Sequence, residues 1–179
     1  MAVETVILDA CCTLNLSATS RIEVILRRLP YEFTVGSWGR REAQWLSVPD
    51  LEERESVDLE PLIRAGVLTE EELRDRAEEA LFVELGLTLA DGEAEAAALA
   101  ISRGYVLATD DRKARRVVAE RHPSARLTGT LELLHAWQSA AAPSEAEVAD
   151  ALRRISERAT YRPRRTHPLY TWWSDLMGE

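Results

Sequence analysis

The sequence predicts an α/β domain on a mainly parallel central sheet, followed by a helical C-terminal extension. Three observations carry that expectation. The short apolar runs "TVILDA", "YEFTV" and "YVLAT" alternate with stretches of helical periodicity, as parallel strands joined by helices do. The first and third runs end against acids, and the carboxyl ends of parallel strands are where open α/β sheets bind their ligands. A chain of 179 residues, 46% hydrophobic, holds one ordinary core rather than two.

The elements follow in order. After "TVILDA", apolar residues at Leu14, Ile22, Ile25, Leu26 and Leu29 predict a helix over 13–29 that Pro30 closes. "YEFTV" is the second strand. "GSWGRREAQWL" then reads as a helix with Ser37 as N-cap and Trp38, Trp45 and Leu46 on one face. Residues 47–56 read as an acidic surface loop. Helices are expected over 58–66 and 69–86, where Gly66 stops the first and Thr69 with Glu72 forms a capping box for the second. "LADGEAEAAALAISRG" is an alanine-rich helix capped by Asp91 and ended by Gly104. A third strand in "YVLAT", a basic helix over 111–121, a short strand near "ARL" and a helix from Thr130 to Ser139 complete the compact part, residues 1–140. "SAAAPSE" is a small-residue hinge into the extension, 141–179, with a helix over 144–158 and an Arg- and aromatic-rich tail. Two layers and three are both compatible with this alternation.

Composition narrows the function. The net charge of −9 counts against a phosphate-binding surface. The arginines are clustered, however: Arg112, Lys113, Arg115 and Arg116 form one run, and Arg153, Arg154, Arg158, Arg162, Arg164 and Arg165 another. No stretch approaches the roughly 18 apolar residues of a membrane helix, and "MAVETVILDACC" lacks a basic leader, so the expectation is a cytoplasmic protein with no membrane partner. Cys11 and Cys12 are adjacent, which fits neither a disulfide framework nor paired metal-ligand spacing, and they read as free thiols behind a strand.

Acids in four separated segments resist an ordinary reading. Asp9 ends the first strand, where an N-cap is the alternative role. Glu42 shares the helical stripe of Trp38, Trp45 and Leu46, where a lone carboxylate would be costly. Glu93 and Glu95 lie about 200° apart around one helix, and Glu93, aligned with Ala96, Ala97 and Ala100, is the inward choice. Asp110 and Asp111 follow the third strand, one free to cap the basic helix and the other to look toward Asp9. A shared divalent cation explains the set, because Mg²⁺ and Mn²⁺ prefer oxygen ligands and neutralise carboxylates that would otherwise repel.

"VILDACCTLNL", "GRREAQWL", "GEAEAAALAISRGYVLATDDRKARRVVAE" and "LTGTLELLHAW" resemble, in order and spacing, the successive signatures of the PIN-domain family, the fold of VapC-type toxin ribonucleases. The resemblance runs over roughly residues 3–138 and implies a three-layer α/β/α domain. Asp9 matches the family's first-strand aspartate, Glu42 its helix glutamate and Glu93 the acid opening the long central helix. Its Thr-x-Asp falls on Thr109 and Asp111, with Asp110 a close alternative. The implied activity is a Mg²⁺- or Mn²⁺-dependent endoribonuclease acting on single-stranded RNA, with Asp9, Glu42, Glu93 and Asp111 catalytic and Asp9, Glu93, Asp110 and Asp111 around the metal. Arg112, Lys113, Arg115 and Arg116 would hold RNA phosphates, since Arg forks match phosphate oxygens. A small antitoxin partner and a homodimer are implied by the same resemblance. Two rivals stand beside it. A haloacid-dehalogenase-like phosphatase would need a second acid two residues after Asp9, where this chain has Cys11. A PIN-like protein with no catalysis would bind protein or nucleic acid through its C-terminal extension.

Overall fold

Alternation along β1 (Glu4–Leu8) sets the architecture: Val6 and Leu8 join one apolar cluster and Ile7 joins another on the opposite face. In the computed structural model, which describes residues 3–47 and 53–178, β1 is the middle of a five-stranded sheet. Its neighbours are β2 (Tyr31–Gly36) and β6 (Val106–Ala108), with β5 (Thr69–Glu71) and β7 (Arg126–Thr128) at the rims. Every pairing in this sheet is parallel. One face carries α5 (Arg76–Gly86), α6 (Asp91–Arg103) and α7 (Arg112–Arg121), which enclose Ile7, Leu99, Leu107 and Val118. The other carries α1 (Ala10–Ala18), α2 (Ile22–Arg28), α8 (Thr130–Ala141), α9 (Glu145–Arg158) and α10 (Tyr170–Met177). The result is the expected three-layer α/β/α arrangement. Outside the main sheet lie α3 (Ser37–Glu42), α4 (Glu60–Arg64) and an antiparallel hairpin of β3 (Trp45–Ser47) and β4 (Arg54–Ser56).

The chain departs from the sequence expectation at several joints. The helix expected over 13–29 is two helices, broken where Ser20 adopts a left-handed φ of 56° and Arg21 N–H donates to Thr19 Oγ1 at 2.9 Å. The helix through Trp45 and Leu46 stops at Glu42, and those residues pair in the hairpin instead. Part of the expected acidic loop is β4, and 48–52 lie outside the described residues. Thr69–Glu71 is a rim strand, not a capping box, because pairing with Thr34–Gly36 and the Thr34 hydroxyl on Thr69 O (3.0 Å) outweigh local helix propensity. Helix α5 starts later, capped by Asp75, whose Oδ1 accepts from Ala77 N (2.8 Å) and Glu78 N (3.0 Å). Gly36 and Ala90, not Ser37 and Asp91, hold the N-cap positions of α3 and α6.

The C-terminal segment packs into the same apolar cluster as Val6 and Leu8. Helix α9 buries Val148, Ala151, Leu152 and Ile155, and α10 adds Trp173, 2% exposed. Trp172 Nε1 donates to Gln138 Oε1 at 2.7 Å and its ring meets His135 edge-on, which fixes α10 to α8. No helix among the described residues is long and apolar enough to cross a membrane.

Candidate functional site

Parallel strands all deliver their carboxyl ends to one edge of the sheet, and there two acids meet. Asp9 follows β1 and caps α1; its Oδ1 accepts from Cys12 N at 2.7 Å. Cys11 Sγ donates to both of its oxygens, at 3.0 and 3.1 Å, and the Thr109 hydroxyl adds a further bond. Asp9 is only 2% exposed. Burial pushes its pKa up to about 6, against these hydrogen bonds and with the charge of Asp110 adding to the rise.

Asp110 follows β6, beside β1. It accepts from Asn15 Nδ2 (2.9 Å), from Thr130 N (3.1 Å), from the Thr130 hydroxyl and from Cys12 Sγ (3.4 Å). Gly129 permits this approach: a Cβ there would lie 2.6 Å from Asp110 Oδ1 and 3.0 Å from Glu132 Oε2. Every partner of Asp9 and Asp110 is a neutral donor, and among the described residues neither carboxylate makes a salt bridge. The thiols keep their protons. In Cys11 the bond from Cys12 lowers the pKa, but burial and the Asp9 and Asp110 charges raise it further. Burial pushes Cys12 well up.

The other expected acids stand on the rim. Asp111 is the N-cap of α7, accepting from Ala114 N at 2.8 Å, while its own N–H donates to Thr109 Oγ1 at 3.2 Å. The two adjacent acids thus divide the work: Asp111 caps, Asp110 turns inward. Glu93, in the first turn of α6, accepts from Ala90 N at 3.2 Å; burial raises its pKa, and the charges of Asp111 and Glu42 reinforce the rise. Glu42 is exposed and ends α3, so the buried stripe expected for it does not exist. Its Oε1 accepts from Gly92 N at 3.1 Å, at the positive end of α6. Glu95, passed over as the outward acid, is the buried one at 2% exposure. It ties α6 to α3 by accepting from Ser37 Oγ and Trp38 N, both at 2.8 Å, and burial raises its pKa against those bonds. Helix α6 is buried from Ala94 through Ala100, so its alanine stripe does not define a single inward side.

Of the basic run, Arg115 is engaged: its Nη1 donates to Thr109 O (2.9 Å) and Thr128 O (2.8 Å), locking the ends of β6 and β7. Arg112, Lys113 and Arg116 are exposed. A groove of about 650 Å³ runs past Cys11, Glu93, Asp110 and Asp111, with the segment 159–168 along its other side.

Among the described residues, the metal-ligating atoms that gather within 4.8 Å of one another belong to Asp9, Cys11 and Cys12; Asp110, Glu42, Glu93 and Asp111 are not drawn into such a group. Sulfur is a soft donor, so the donors suited to a hard cation are the carboxylate oxygens of Asp9 and, on the groove lining, of Asp110, Glu93 and Asp111. Carboxylate oxygens are the donors a hard divalent cation prefers. Sequence reasoning missed Asn15, Thr130, Gly129 and Glu132. The one available signal was "TGT", a small residue and a hydroxyl at the start of the helix after β7.

A family model described as a PIN domain matches residues 5–167. No curated protein and no solved structure matches the chain.

Proposed function

Because the chain belongs to the PIN-domain family, a fold of nucleases, we propose that it is a Mg²⁺- or Mn²⁺-dependent endoribonuclease that cuts single-stranded RNA, the toxin of a toxin–antitoxin pair. One observation carries the reading: Asp9 and Asp110 stand at the ends of adjacent parallel strands, and among the described residues no cationic side chain is bonded to either. Like charges held that way call for a cation from outside.

Asp9 and Asp110 would hold the ion, with Glu93 and Asp111 reaching it from the rim and Glu42 fixing the start of α6. When bound, Mg²⁺ or Mn²⁺ supplies an acidified water and stabilises charge on the phosphate. The chain's own residues do the positioning. Cys12 N and Thr109 set the plane of Asp9, while Asn15 and Thr130 set Asp110. Arg112, Lys113 and Arg116 present exposed cations to the RNA backbone, and Arg115 braces the strand ends beneath them. An antitoxin that covers the groove, a homodimer and a cytoplasmic location complete the proposal.

The test is cleavage of a mixed pool of structured and unstructured RNAs with Mn²⁺, Mg²⁺ or EDTA, alongside Asp9→Asn and Asp110→Asn. Cuts are expected with either cation and none in EDTA, with both variants at least about a hundredfold slower at unchanged fold. Cutting that persists in EDTA, or in both folded variants, overturns the reading.

A further inference from the structure

The acids form the floor and one wall of the groove; its other wall comes from the far end of the chain. Where α9 ends, Thr160 takes a left-handed φ of 54° and turns the backbone toward the site. The next residue, Tyr161, packs on the main apolar cluster, with its phenol within electrostatic range of Asp110 and Glu132. Beyond it the chain closes a turn, with His167 N–H donating to Arg164 O at 2.9 Å and His167 Nε2 lying 3.5 Å from Glu132 Oε1. Helix α10 then pins the segment to α8. This strap is fixed at both ends, so it is a wall and not a lid.

Its charge is opposite to that of the floor. Arg164 lines the groove, is exposed, and makes no ion pair among the described residues, whereas Arg40, Arg103, Arg126 and Arg158 are all paired with carboxylates. Arg112 lines the same groove from the start of α7. A phosphate backbone approaching Asp110, Glu93 and Asp111 is repelled by these acids, and cations on both sides of it are what bring it to rest there.

Resting on the nuclease reading above, we infer that the strap 159–168 is the second wall of the RNA groove and that Arg164 grips a phosphate of the strand opposite Arg112. The occupant is a single-stranded nucleic acid, because the exposed Arg164 guanidinium, on a fixed wall that also carries Arg162 and faces Asp110, Glu93 and Asp111, matches a phosphate next to a site for a cation.

The test uses the full chain and a fluorescein-labelled single-stranded RNA of mixed sequence, read by anisotropy over a salt series in Ca²⁺, with thermal unfolding as the check on fold. Arg164→Ala is expected to weaken binding about tenfold and to reduce the slope of log K against log salt by about 0.7, the value for one phosphate contact on a single strand. Arg164→Lys is expected to restore most of that slope. Arg165→Ala, a change at an exposed arginine outside the groove lining, is expected to leave both values at wild type. Arg164→Ala binding with wild-type affinity and slope overturns this inference alone. A wild type that binds no RNA at any salt overturns it together with the nuclease reading.

Discussion

The two ends of α6 handle buried and half-buried carboxylates in opposite ways. At its C-terminal end, Arg103 donates to Glu78 (2.7 and 2.9 Å), to Glu71 (2.7 Å) and to Glu72 O (2.8 Å), and Arg74 adds a second cation to Glu71. The bond from Arg103 holds the Glu78 pKa below the usual carboxylate range in spite of burial. At the N-terminal end, Asp9 and Asp110 are held by thiols, an amide and a hydroxyl, and burial raises Asp9. The same fold can neutralise an inward acid with arginine, and at the strand ends it does not. The difference separates a closed structural cluster from carboxylates that no cation among the described residues neutralises.

The largest effect that would sharpen this contrast is Arg103→Met. It strands Glu78, leaves Glu71 with Arg74 alone, and is expected to cost about 3 kcal/mol or more in denaturant unfolding, with metal-dependent cleavage per folded molecule unchanged. A loss of cleavage in the folded variant would break the contrast.

Next comes pH. Asp9 has a native pKa raised from 3.8 to about 6, so its contribution to stability is complete below about 4 and is lost as pH rises through about 6. In EDTA, stability is expected to fall by about 3 kcal/mol between pH 4 and pH 8, and Asp9→Asn should remove that fall. Glu78 has the opposite sign, since its native pKa is lowered: its contribution is present at neutral pH and lost as pH drops through the native value. Arg103→Met should therefore flatten the acid limb alone.

Smaller again is Gly129→Ala. Its backbone is extended, at φ −157°, and any residue adopts that conformation, but the added methyl meets Asp110 Oδ1. The metal concentration for half-maximal cleavage is expected to rise about tenfold, while the melting temperature barely moves. Glu95→Gln is the mildest, about 1 kcal/mol of stability from one mismatched bond to Trp38 N, with metal dependence unchanged. A shift in metal affinity there would make Glu95 part of the site.

Long periodic stretches of the sequence carried most of the architecture. β1, β2, α6, β6 and α7 stand where their patterns put them, because each has an apolar run or an unambiguous stop such as Gly104 at φ 69°. Elements made by pairing were hidden. Three residues, Thr69–Glu71, have no readable period, and "TEEEL" imitates a helix start until β2 lies beside it. Ser20 breaks a helix with no glycine to announce it. In the candidate site, acids at strand ends were legible and their division of labour was not: whether Asp110 or Asp111 turns inward depends on Asn15 and Thr130, which come from 95 and 20 residues away in sequence. Burial of Glu95 likewise depends on α3 docking against α6, a contact with no local signature.

Both rims of the sheet finish in three-residue strands whose charges are engaged. On β5, Glu70 is bound to Arg40 and Glu71 to Arg103; on β7, Arg126 is bound to Glu4 and donates to Gly104 O at 2.7 Å. A short, charged rim offers little backbone to an incoming strand. Growth into fibres by edge addition is thereby blocked on either side. Turbidity in concentrated samples should instead follow the exposed apolar residues of the α5 region, Val83 and Leu87, and polar substitutions there should clear it.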